Sequence, residues 1–550
     1  MLPEVIAQRQ ATAGALVREL FSKVSPELQK PPEELPAPPQ ISDIEQLPDA
    51  INEFRKHGRV HEVRRQISIL TYTALEKIGS FYCATGPRGY FLDKRLGFLH
   101  PLDSERFANL LATLTGLNPT EIEFKFVLEH LKVTAANLPE QPIRVLSHFD
   151  IKEGLFYLHG GGKEVHLADA SGPLKRVDNG DGQLFLTQAD SEPLTPDYSA
   201  NGKALEWFLD LPSFSEDEGG LTRQELKLLL LTVVIFLLIS QEERPILVPI
   251  GPRGSGKTTA MRALLMLFLG SQPKPTSISV DRPLDDIVIL LANNSVAVVD
   301  NMDSFVRGVE NLLATFVTNA TYKRRKLFTD GEQYEIRLGA KILGITCRTP
   351  RFTRPDVAQR IIPLPFEKPR DGVIGETALY SQILEKRPLI MGDLLMVVSR
   401  VIGKLSINAP RLNVRLADFA EFGWRMHARQ EVDGRWVSFE WVSILGKLTA
   451  AQDRFIASDN GLIEAIDVLL NDGVAIVDMP SAELFQKCRA VAEVRRLILP
   501  KSSISFGQVL TESASALESE LKVKFVDRRG RAGRRFITIT PIEARARRKY

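Results

Sequence analysis

Apolar residues follow different spacings in successive parts of the chain, and each spacing predicts a different kind of structure. Between about residues 50 and 140 the spacing is helical, with a short hairpin expected around 86–88, whereas from about 143 to 200 apolar and polar residues alternate as in strands. From about 205 to 366 short apolar runs alternate with helical segments, a pattern typical of a parallel sheet with helices on both faces. Residues 370–455 again predict amphipathic helices. The chain is therefore expected to be an α/β protein of several domains.

The beginning of the chain has a composition of its own. Residues 1–28 have the apolar spacing of one helix, and the proline-rich stretch 31–39 predicts a stiff linker after it. This helix is either an arm that docks on a partner subunit or a loosely ordered tail. The changes of pattern divide the chain into six predicted segments, which are 1–47 (helix and linker), 48–142 (mainly helical), 143–200 (β-rich), 201–368 (α/β core), 369–455 (helical lid) and 456–550 (C-terminal domain).

One stretch of the α/β core, Gly251–Thr258, fits the phosphate-loop pattern G-x-x-x-x-G-K-[ST] in full. The apolar run Ile246–Ile250 leads into it as a strand, although Pro249 has no N–H to donate to a neighbouring strand. Glycines let backbone N–H groups close around a triphosphate, while Lys257 reaches the β- and γ-phosphates and Thr258 holds Mg²⁺. The predicted nucleotide-binding residues are Gly251, Pro252, Arg253, Gly254, Ser255, Gly256, Lys257, Thr258 and Thr259.

A second apolar run, Val296–Asp300, ends in an acid. A carboxylate at the end of a buried strand beside a phosphate loop is suited to holding the Mg²⁺-bound water. We interpret Asp300 as that acid, and an ordinary turn aspartate is the alternative. The next residue, Asn301, can orient a water molecule without taking its proton, and Asp303 is a candidate base.

Two basic stretches are candidates for contacts with DNA phosphates. The first is one arm of a hairpin predicted around Asp330 and Gly331, and the second lies between two strands near the C-terminus. For both, a solvated surface run is the alternative. Helices, a strand, an arginine-rich turn and a further strand predict a winged helix, with Phe506–Leu521 as its recognition helix. The candidate DNA-binding residues are Lys323, Arg324, Arg325, Lys326, Arg528, Arg529, Arg531, Arg534 and Arg535.

Composition narrows the class of protein further. The net charge is only +2, so any nucleic-acid site must be local. The three cysteines form no C-x-x-C pair, which argues against a zinc site and fits a reducing cytosol. The N-terminus lacks the pattern of a secretion signal, and the most apolar segment, 226–239, is short for a membrane span and predicts a buried helix. Solvent-exposed strand histidines, and not metal ligands, are expected at His148, His159 and His166.

With these motifs, the chain resembles the superfamily 3 and poxvirus-type primase-helicases within the AAA+ ATPases, over roughly residues 60–550. The likeness is greatest to the helicase halves of primase-polymerase proteins carried by phages and bacterial mobile elements. It implies a P-loop AAA+ core with a parallel sheet, preceded by a helical and β-rich region and followed by a helical lid and a winged-helix domain. It also implies ATP and Mg²⁺ as cofactors and a hexameric ring whose hairpins move along one DNA strand.

The resemblance also implies roles for residues outside the phosphate loop. The magnesium acid of the family falls on Asp300, and its arginine finger, which acts on the neighbouring subunit, falls best on Arg360 and second on Arg354. The sensor position, usually an asparagine, falls on Thr346. Where many AAA+ proteins have Asp-Glu, this chain has Asp300 and Asn301, so the residue that polarises the attacking water is left open.

Three functions remain open at this point. The first is a cytoplasmic DNA helicase or translocase that replicates a phage or mobile element, working with a separate primase or polymerase because no primase catalytic domain is found here. The second is a slowly hydrolysing, ATP-dependent DNA-binding switch or assembly factor. The third is a nucleic-acid-sensing ATPase of a defence system. None of these three functions requires binding to a membrane.

Overall fold

A computed structural model gives the fold of most of the chain. The residues it describes are 43–56, 60–85, 88–188, 191–216, 220–240, 242–278, 283–302, 307–325, 333–336, 338–348, 350, 352, 354–369, 374–431, 433–457, 461–495, 497, 499–500, 502–529 and 535–542. The helix and linker predicted for residues 1–39 lie outside these ranges, as do Asp303, Lys326, Arg531 and Arg534. Of Arg324 and Arg325 only the backbone is described.

The described chain forms two units, of which the first contains residues up to 91 and 101–140. Its helices are amphipathic, and apolar residues such as Phe54, Phe107 and Leu131 share one buried core. One helix begins at Ser104, whose hydroxyl accepts a hydrogen bond from the N–H of Phe107, and ends at Gly116 with a left-handed φ of 69°. The elements are α1 (Leu47–Lys56), α2 (Val60–Ile78), β1 (Gly79–Ala84), β2 (Arg88–Asp93, which runs into the second unit), α3 (Glu105–Thr115) and α4 (Ile122–Ala136).

The second unit contains residues 92–100 and 141–550, and it begins with a β-rich region. Four of its strands form an antiparallel sheet in the order β5-β6-β7-β8. Apolar residues of this sheet, such as Phe149 and Phe156, belong to the same hydrophobic core as the parallel sheet described below, whereas Tyr157, Val165 and Phe185 form a small cluster of their own. The strands are β3 (Phe98–Pro101), β4 (Ile143–Arg144), β5 (Ser147–Asp150), β6 (Leu155–His159), β7 (Glu164–Asp169), β8 (Gly172–Asp178) and β9 (Leu184–Phe185).

The three histidines of this region are buried, so the expectation that they are solvent-exposed is wrong. The ring of His159 stacks on Phe185 with 5.5 Å between centroids, and Nε2 of His166 lies 2.9 Å from the carbonyl oxygen of Leu194. Burial lowers the pKa of both His148 and His159 to about 4, so both side chains are neutral at pH 7. Among the described residues no group of three or more His, Cys, Asp or Glu side chains is placed to hold a metal ion.

A five-stranded parallel sheet lies at the centre of the second unit, with strand order β11-β12-β15-β10-β16. Every residue of β10 and β16 is buried, as expected for a parallel sheet that is covered on both faces. The prediction of an α/β protein with a parallel sheet is confirmed. The elements up to its last strand are α5 (Lys203–Asp210), α6 (Arg223–Ile239), β10 (Ile246–Ile250), α7 (Lys257–Leu269), β11 (Thr276–Ser277), α8 (Pro283–Asn293), β12 (Val296–Asp300), α9 (Arg307–Val317), β13 (Tyr322–Arg325), β14 (Gln333–Ile336), β15 (Ile342–Ile345), α10 (Pro355–Ala358) and β16 (Ile361–Pro365).

Pro249 lies in β10, an interior strand of this sheet, and its backbone explains how a proline is accommodated there. In a strand the N–H and C=O of one residue face the same neighbour. The carbonyl of Pro249 accepts a hydrogen bond from the N–H of Cys347 at 3.1 Å, so the missing N–H falls on the β15 side. On the other side, β10 pairs with β16 along its whole length, from Ile246 to Ile250. The proline therefore removes one hydrogen bond of the sheet without disturbing the register with β16.

Helix α6 precedes the central sheet and is apolar around most of its circumference. Its first turn is closed by a capping box, in which the hydroxyl of Thr222 accepts from the N–H of Glu225 at 3.2 Å and the Glu225 carboxylate accepts from the N–H of Thr222 at 2.8 Å. The segment predicted as a buried helix lies within it and is mostly buried. No helix in the described part of the chain is long and apolar enough to cross a bilayer.

Helices continue after the sheet. The longest, α11, contains Pro388, whose carbonyl accepts a hydrogen bond from the N–H of Asp197 at 2.9 Å. At Gly392 a Cβ atom would lie 1.9 Å from the carbonyl oxygen of Asp197, so glycine permits the segment around Asp197 to lie directly on this helix. The elements are α11 (Glu376–Ile402), α12 (Ala417–His427), β17 (Arg429–Gln430), β18 (Trp436–Val437) and α13 (Phe439–Ala457).

The C-terminal region combines four helices with a three-stranded antiparallel sheet of order β19-β21-β20. Phe506–Leu521, predicted as one recognition helix, is divided at Ser513 into two helices, so that prediction is wrong. The sequence reading also missed the strand at Ile476–Pro480. The elements are α14 (Gly461–Asn471), β19 (Ile476–Pro480), α15 (Ser481–Arg495), α16 (Ser503–Glu512), α17 (Ala514–Leu521), β20 (Val523–Arg529) and β21 (Arg535–Pro541).

Candidate functional site

The glycine-rich loop lies at the carboxyl end of β10 and leads directly into α7. Gly251 has a φ of 148°, and a Cβ atom there would lie 2.2 Å from the carbonyl oxygen of Phe366, so no larger residue fits. Gly256 has a left-handed φ of 83°, and Lys257 begins the helix immediately after it. The first N–H groups of α7 and the positive end of its dipole therefore face the loop. This arrangement suits an anion.

Lys257 is only 7% exposed, and its ammonium group lies inside the loop. It donates to the carbonyl oxygens of Gly251 at 2.7 Å and Pro252 at 2.8 Å, and its Nζ lies 3.4 Å from Oγ of Ser255. The loop thus holds a positive charge beside the helix N-terminus. An anion entering the loop would meet both.

Asp300 lies at the end of β12, the strand next but one to β10, and joins three elements of the site. Its Oδ1 accepts a hydrogen bond from the hydroxyl of Thr258 at 2.8 Å and from that of Thr346 at 2.6 Å. Strands β12 and β15 are paired in parallel register up to Val299 and Ile345, so the next residues, Asp300 and Thr346, lie at the same sheet edge. The structure therefore brings together the predicted magnesium residues, Thr258 and Asp300, and the predicted sensor residue, Thr346.

Asn301 completes this cluster through its backbone as well as its side chain. It has a left-handed φ of 57°, which asparagine tolerates better than most residues. Its N–H donates to the hydroxyl of Thr346 at 3.0 Å, and its side-chain amide donates to Oδ2 of Asp300 at 3.2 Å. Thr346 is fully buried while Asn301 is exposed, so the amide lies on the solvent side of the carboxylate.

The long helix α11 contacts α7 near the loop and at its far end, a feature the sequence reading missed. Near the loop, the hydroxyl of Thr259 donates to the carboxylate of Glu376 at 3.2 Å. At the far end, the buried guanidinium of Arg387 donates to the carbonyl oxygens of Leu267 at 3.0 Å and Phe268 at 3.2 Å. These are among the last carbonyls of α7, which have no partner within the helix, so Arg387 caps it. One feature of the sequence could have indicated this buried contact, namely an arginine next to a proline within an apolar helical pattern.

Of the two arginine-finger candidates, Arg360 lies at the opposite edge of the sheet from the loop. The carbonyl of Arg360 accepts a hydrogen bond from the N–H of Ile246, the first residue of β10. The loop follows the last residue of this five-residue strand, so about 16 Å separate Ile246 from the loop. Arg360 is 15% exposed and lies near Asp356 and Glu243, and burial together with Arg415 lowers its pKa. Arg354 is 37% exposed and forms a two-bond pair with Asp356 at 2.9 and 2.7 Å. Arg360 is therefore remote from the loop of its own chain.

The candidate DNA-contacting residues lie in two places. The predicted basic hairpin is formed by β13 and β14, which pair from Tyr322 with Ile336 to Arg325 with Gln333, and Lys323 on it is exposed. Near the C-terminus, Arg528 and Arg529 are exposed on β20, and Arg528 lies 3.3 Å from Asp478.

Arg535 has a different environment from the other described arginines of the C-terminal region. Its Nε pairs with Asp527 at 2.9 Å, and its guanidinium donates to the carbonyl of Gly507 at 2.6 Å. It therefore links β21 to β20 and to α16, and its charge is engaged inside the domain. Arg528 and Arg529 are better placed than Arg535 to contact a ligand.

Among solved structures, the NrS-1 C-terminal region (305–718) matches with 10% identity and a TM-score of 0.37, covering 86% of this chain and 98% of that one. A second, A-form structure of the same region matches with 11% identity and a TM-score of 0.38 over the same shares. A full-length MCM homolog from Methanopyrus kandleri matches with 15% identity and a TM-score of 0.26, covering 57% of this chain and 71% of that one. TM-scores this low do not establish a common fold.

Two further comparisons concern sequence. The comparison with curated proteins gave no significant match. The profile of the family described as actinomycete integrative conjugative element replication protein matches residues 221–435, from the beginning of α6 to the β17–β18 hairpin. This part, which contains the glycine-rich loop, Asp300 and both arginine-finger candidates, is thus similar to a family of replication proteins.

Proposed function

We propose that the protein is an ATP-hydrolysing DNA motor, a helicase or translocase that acts in replication of a mobile element. The observation that carries the proposal is the meeting of Thr258, Asp300 and Thr346 at one sheet edge beside the glycine-rich loop. In open parallel sheets, ligands bind outside the carboxyl ends of the strands, where chain connections diverge to opposite sides. The chain leaves β10 towards β11 on one side and leaves the adjacent strand β15 towards β16 on the other side, so the connections from these two strands run in opposite directions. The match of this region to a family of replication proteins supports the biological role.

ATP and Mg²⁺ are the cofactors that the site fits. The loop N–H groups, the α7 N-terminus and Lys257 would receive the phosphates. The hydroxyl of Thr258 and the carboxylate of Asp300, 2.8 Å apart, are hard oxygen donors of the kind Mg²⁺ prefers. Since the described residues offer no three-carboxylate cage, the ion would be held jointly with phosphate oxygens. Bound Mg²⁺ would neutralise charge that develops on the transferred phosphoryl group.

The role of Thr346 would be to fix the orientation of Asp300. Its hydroxyl has one donor function, which goes to Oδ1 of Asp300, and it accepts the N–H of Asn301. Both contacts hold Asp300, the last residue of β12, and the following Asn301 in one geometry. Thr346 is therefore a positioning residue, while the side-chain amide of Asn301 would orient water.

A second candidate function, a slowly hydrolysing ATP-dependent switch, is favoured by Asn301 itself. An amide does not accept a proton, and its position beside Asp300 is one where a general base would serve hydrolysis. A chain with this arrangement would bind ATP and change its affinity for DNA while turning over slowly. Turnover rate separates the two functions.

A ring of several copies is part of this proposal, and the position of Arg360 supports it. Because the backbone of Arg360 adjoins the first residue of β10, about 16 Å from the loop at the other end of that strand, any contribution of Arg360 to phosphoryl transfer would be made to the site of a neighbouring copy. The greater exposure of Arg354 favours it over Arg360, which lies against Glu243 and Asp356. Lys323, Arg528 and Arg529 would contact the DNA backbone, which attracts cations without regard to sequence.

The test is steady-state ATP hydrolysis by the full chain, with and without single-stranded DNA, together with its mass in solution. A motor predicts turnover that DNA stimulates, in a particle of several copies, and an unwinding assay would follow. A Lys257→Ala variant should lose ATP binding, which a fluorescent ATP analogue would measure. Tight ATP-dependent DNA binding with negligible turnover would support the switch. Absence of ATP binding by the unmodified chain would refute both.

A further inference from the structure

A second concave site lies in the β-rich region, apart from the glycine-rich loop. It has a volume of about 470 Å³ and is lined by Leu174, Lys175 and Arg176 of β8, by His166 of β7 and by Tyr198. This volume is within the range of small-ligand sites, about 300–1,000 Å³. The lining combines two cations with an aromatic ring.

The exposed side chains on β8 arise from a bulge at the edge of the sheet. His166 pairs with Arg176 and Ala168 pairs with Pro173, so one residue of β7 faces two residues of β8, Leu174 and Lys175. The alternation of inward and outward side chains is interrupted there, and three consecutive residues, 174–176, are exposed. Because these three side chains are exposed, they are open to a ligand.

Tyr198 is held over this row by a buried histidine. The hydroxyl of Tyr198 lies 3.4 Å from Nδ1 of His166. Nε2 of the same ring lies 2.9 Å from the carbonyl of Leu194, so that nitrogen carries the proton and Nδ1 accepts. His166 is 3% exposed whereas Tyr198 is 43% exposed, so a ring open to solvent is fixed at its hydroxyl end by a buried residue.

The segment that carries Tyr198 is fastened on both sides. The N–H of Leu194 donates to the carbonyl of Gly160 at 2.6 Å, and the N–H of Asp197 donates to Pro388 of α11 at 2.9 Å. Further on, the buried carboxylate of Asp393, also on α11, accepts from the N–H of Gly202 at 2.5 Å and of Leu205 at 3.1 Å. A ring on a segment anchored in this way is positioned before any ligand arrives.

We propose that this site binds one nucleotide unit of single-stranded DNA, with a base stacked on Tyr198 and its phosphate at Lys175 and Arg176. Proteins that bind single strands combine a cationic surface with aromatic rings on which bases stack. Glu164 pairs with Arg176 at 2.7 Å, so a phosphate would compete with that carboxylate, whereas Lys175 belongs to the bulge and is exposed. The choice of DNA as the source of the nucleotide rests on the proposed function. The site itself is a further binding site that the proposed function does not include.

The experiment measures binding of a short fluorescein-labelled oligothymidylate to the full chain by anisotropy, without ATP, over a series of salt concentrations. Tyr198→Leu should raise Kd about tenfold through loss of stacking, whereas Tyr198→Phe, which keeps the ring, should retain most of the affinity. Lys175→Gln should reduce the slope of log K against log salt by about 0.7, the contribution of one phosphate contact on a single strand. Lys152→Gln, the same change at an exposed position on the β5–β6 turn, is the matched control and should leave the slope unchanged.

A second measurement needs no variant. An oligonucleotide containing iodouracil, cross-linked to the unmodified chain by light, should attach at or next to Tyr198 when the peptides are mapped by mass spectrometry. Thymidine monophosphate that competes as well as the oligonucleotide would overturn DNA as the source. Equal effects of Lys175→Gln and Lys152→Gln, or cross-links elsewhere with none near Tyr198, would overturn the site. Because no turnover is measured, these outcomes are independent of whether the glycine-rich loop hydrolyses ATP.

Discussion

Replacing Thr346 by valine tests how the site holds Asp300. Valine has nearly the same shape, so the change removes the hydroxyl without leaving a cavity. It removes the hydrogen bond to the Asp300 carboxylate at 2.6 Å and leaves the N–H of Asn301 without its acceptor at 3.0 Å. A hydrogen bond to a charged group contributes about 1.5–3 kcal/mol, and an unsatisfied buried donor costs about 1–3 kcal/mol. Allowing for partial access of water to Asn301, we expect a loss of about 2–4 kcal/mol in local stability.

The assay follows both stability and turnover. Hydrogen exchange at the amides of Asn301 and Met302, whose N–H groups bond to the side chain and carbonyl of Thr346, should accelerate in the valine variant. If Asp300 holds Mg²⁺, its less defined orientation should lower kcat for ATP by about 10- to 100-fold, while ATP affinity changes little.

Two variants serve as controls for this prediction. Thr346→Ser keeps the hydroxyl and should retain most of the turnover at a stability cost of about 1 kcal/mol for the lost methyl group. Thr232→Val removes another fully buried hydroxyl, which bonds to the carbonyl of Leu228 and lies 2.8 Å from His427, and should lower stability without a specific loss of turnover. Full activity in Thr346→Val, or equal loss in Thr346→Ser, would refute the role assigned to the hydroxyl.

Three further predictions concern the framework of the site. Arg387→Met leaves four carbonyl acceptors without their donor and should lower the free energy of unfolding, measured in thermal melts, by about 3–5 kcal/mol. Arg400→Met, at an exposed position of the same helix, is the control and should change the free energy of unfolding by no more than about 0.5 kcal/mol. Arg535→Ala should lower the melting temperature, because it removes the bonds to Asp527 and Gly507, whereas Arg529→Ala should leave the melting temperature unchanged. Equal melting temperatures of the two variants would show that Arg535 does not stabilise the domain, and Arg535 would then again be a candidate for DNA contact. Burial raises the pKa of Glu243 from 4.5 to about 7, so the folded state binds the extra proton and stability should fall as pH rises from about 4.5 through 7. Glu243→Gln should flatten that slope and Glu242→Gln, at an exposed neighbour, should not; an unchanged slope in Glu243→Gln would contradict the assignment.

The sequence predicted best where local pattern alone decides the structure. The strand Ile246–Ile250 has the bounds predicted for it, because a continuous apolar run followed by a glycine-rich turn leaves few alternatives. The run that ends in Asp300 is also a strand over the predicted residues. The sites themselves remain predictions, since geometry brings Thr258, Asp300 and Thr346 together without testing what they bind.

Prediction failed where the outcome depends on residues far away in the chain. The burial of His166 follows from Leu194 and Tyr198, about thirty positions away, and nothing in the local alternation indicates it. The break at Ser513 has no glycine or proline to mark it. The strand Ile476–Pro480 is short and ends in proline, and it is stabilised by pairing with β21, some sixty residues later. In each case tertiary contacts override a weak local preference.

Helix α11 relates the two sites of the second unit physically. Its first residue, Glu376, accepts a hydrogen bond from Thr259 beside the glycine-rich loop, and Pro388 and Asp393 hold the segment that carries Tyr198. The distance along the helix from Glu376 to Asp393 is about 25 Å at 1.5 Å per residue. Arg387, whose guanidinium donates to carbonyls of α7 and of residues 192–193, fastens the helix between these contacts. A movement of the helix that began at Glu376 would therefore meet the contacts of this buried arginine before it reached the segment of Tyr198. Coupling of the two sites along this helix would therefore have to shift or release that arginine.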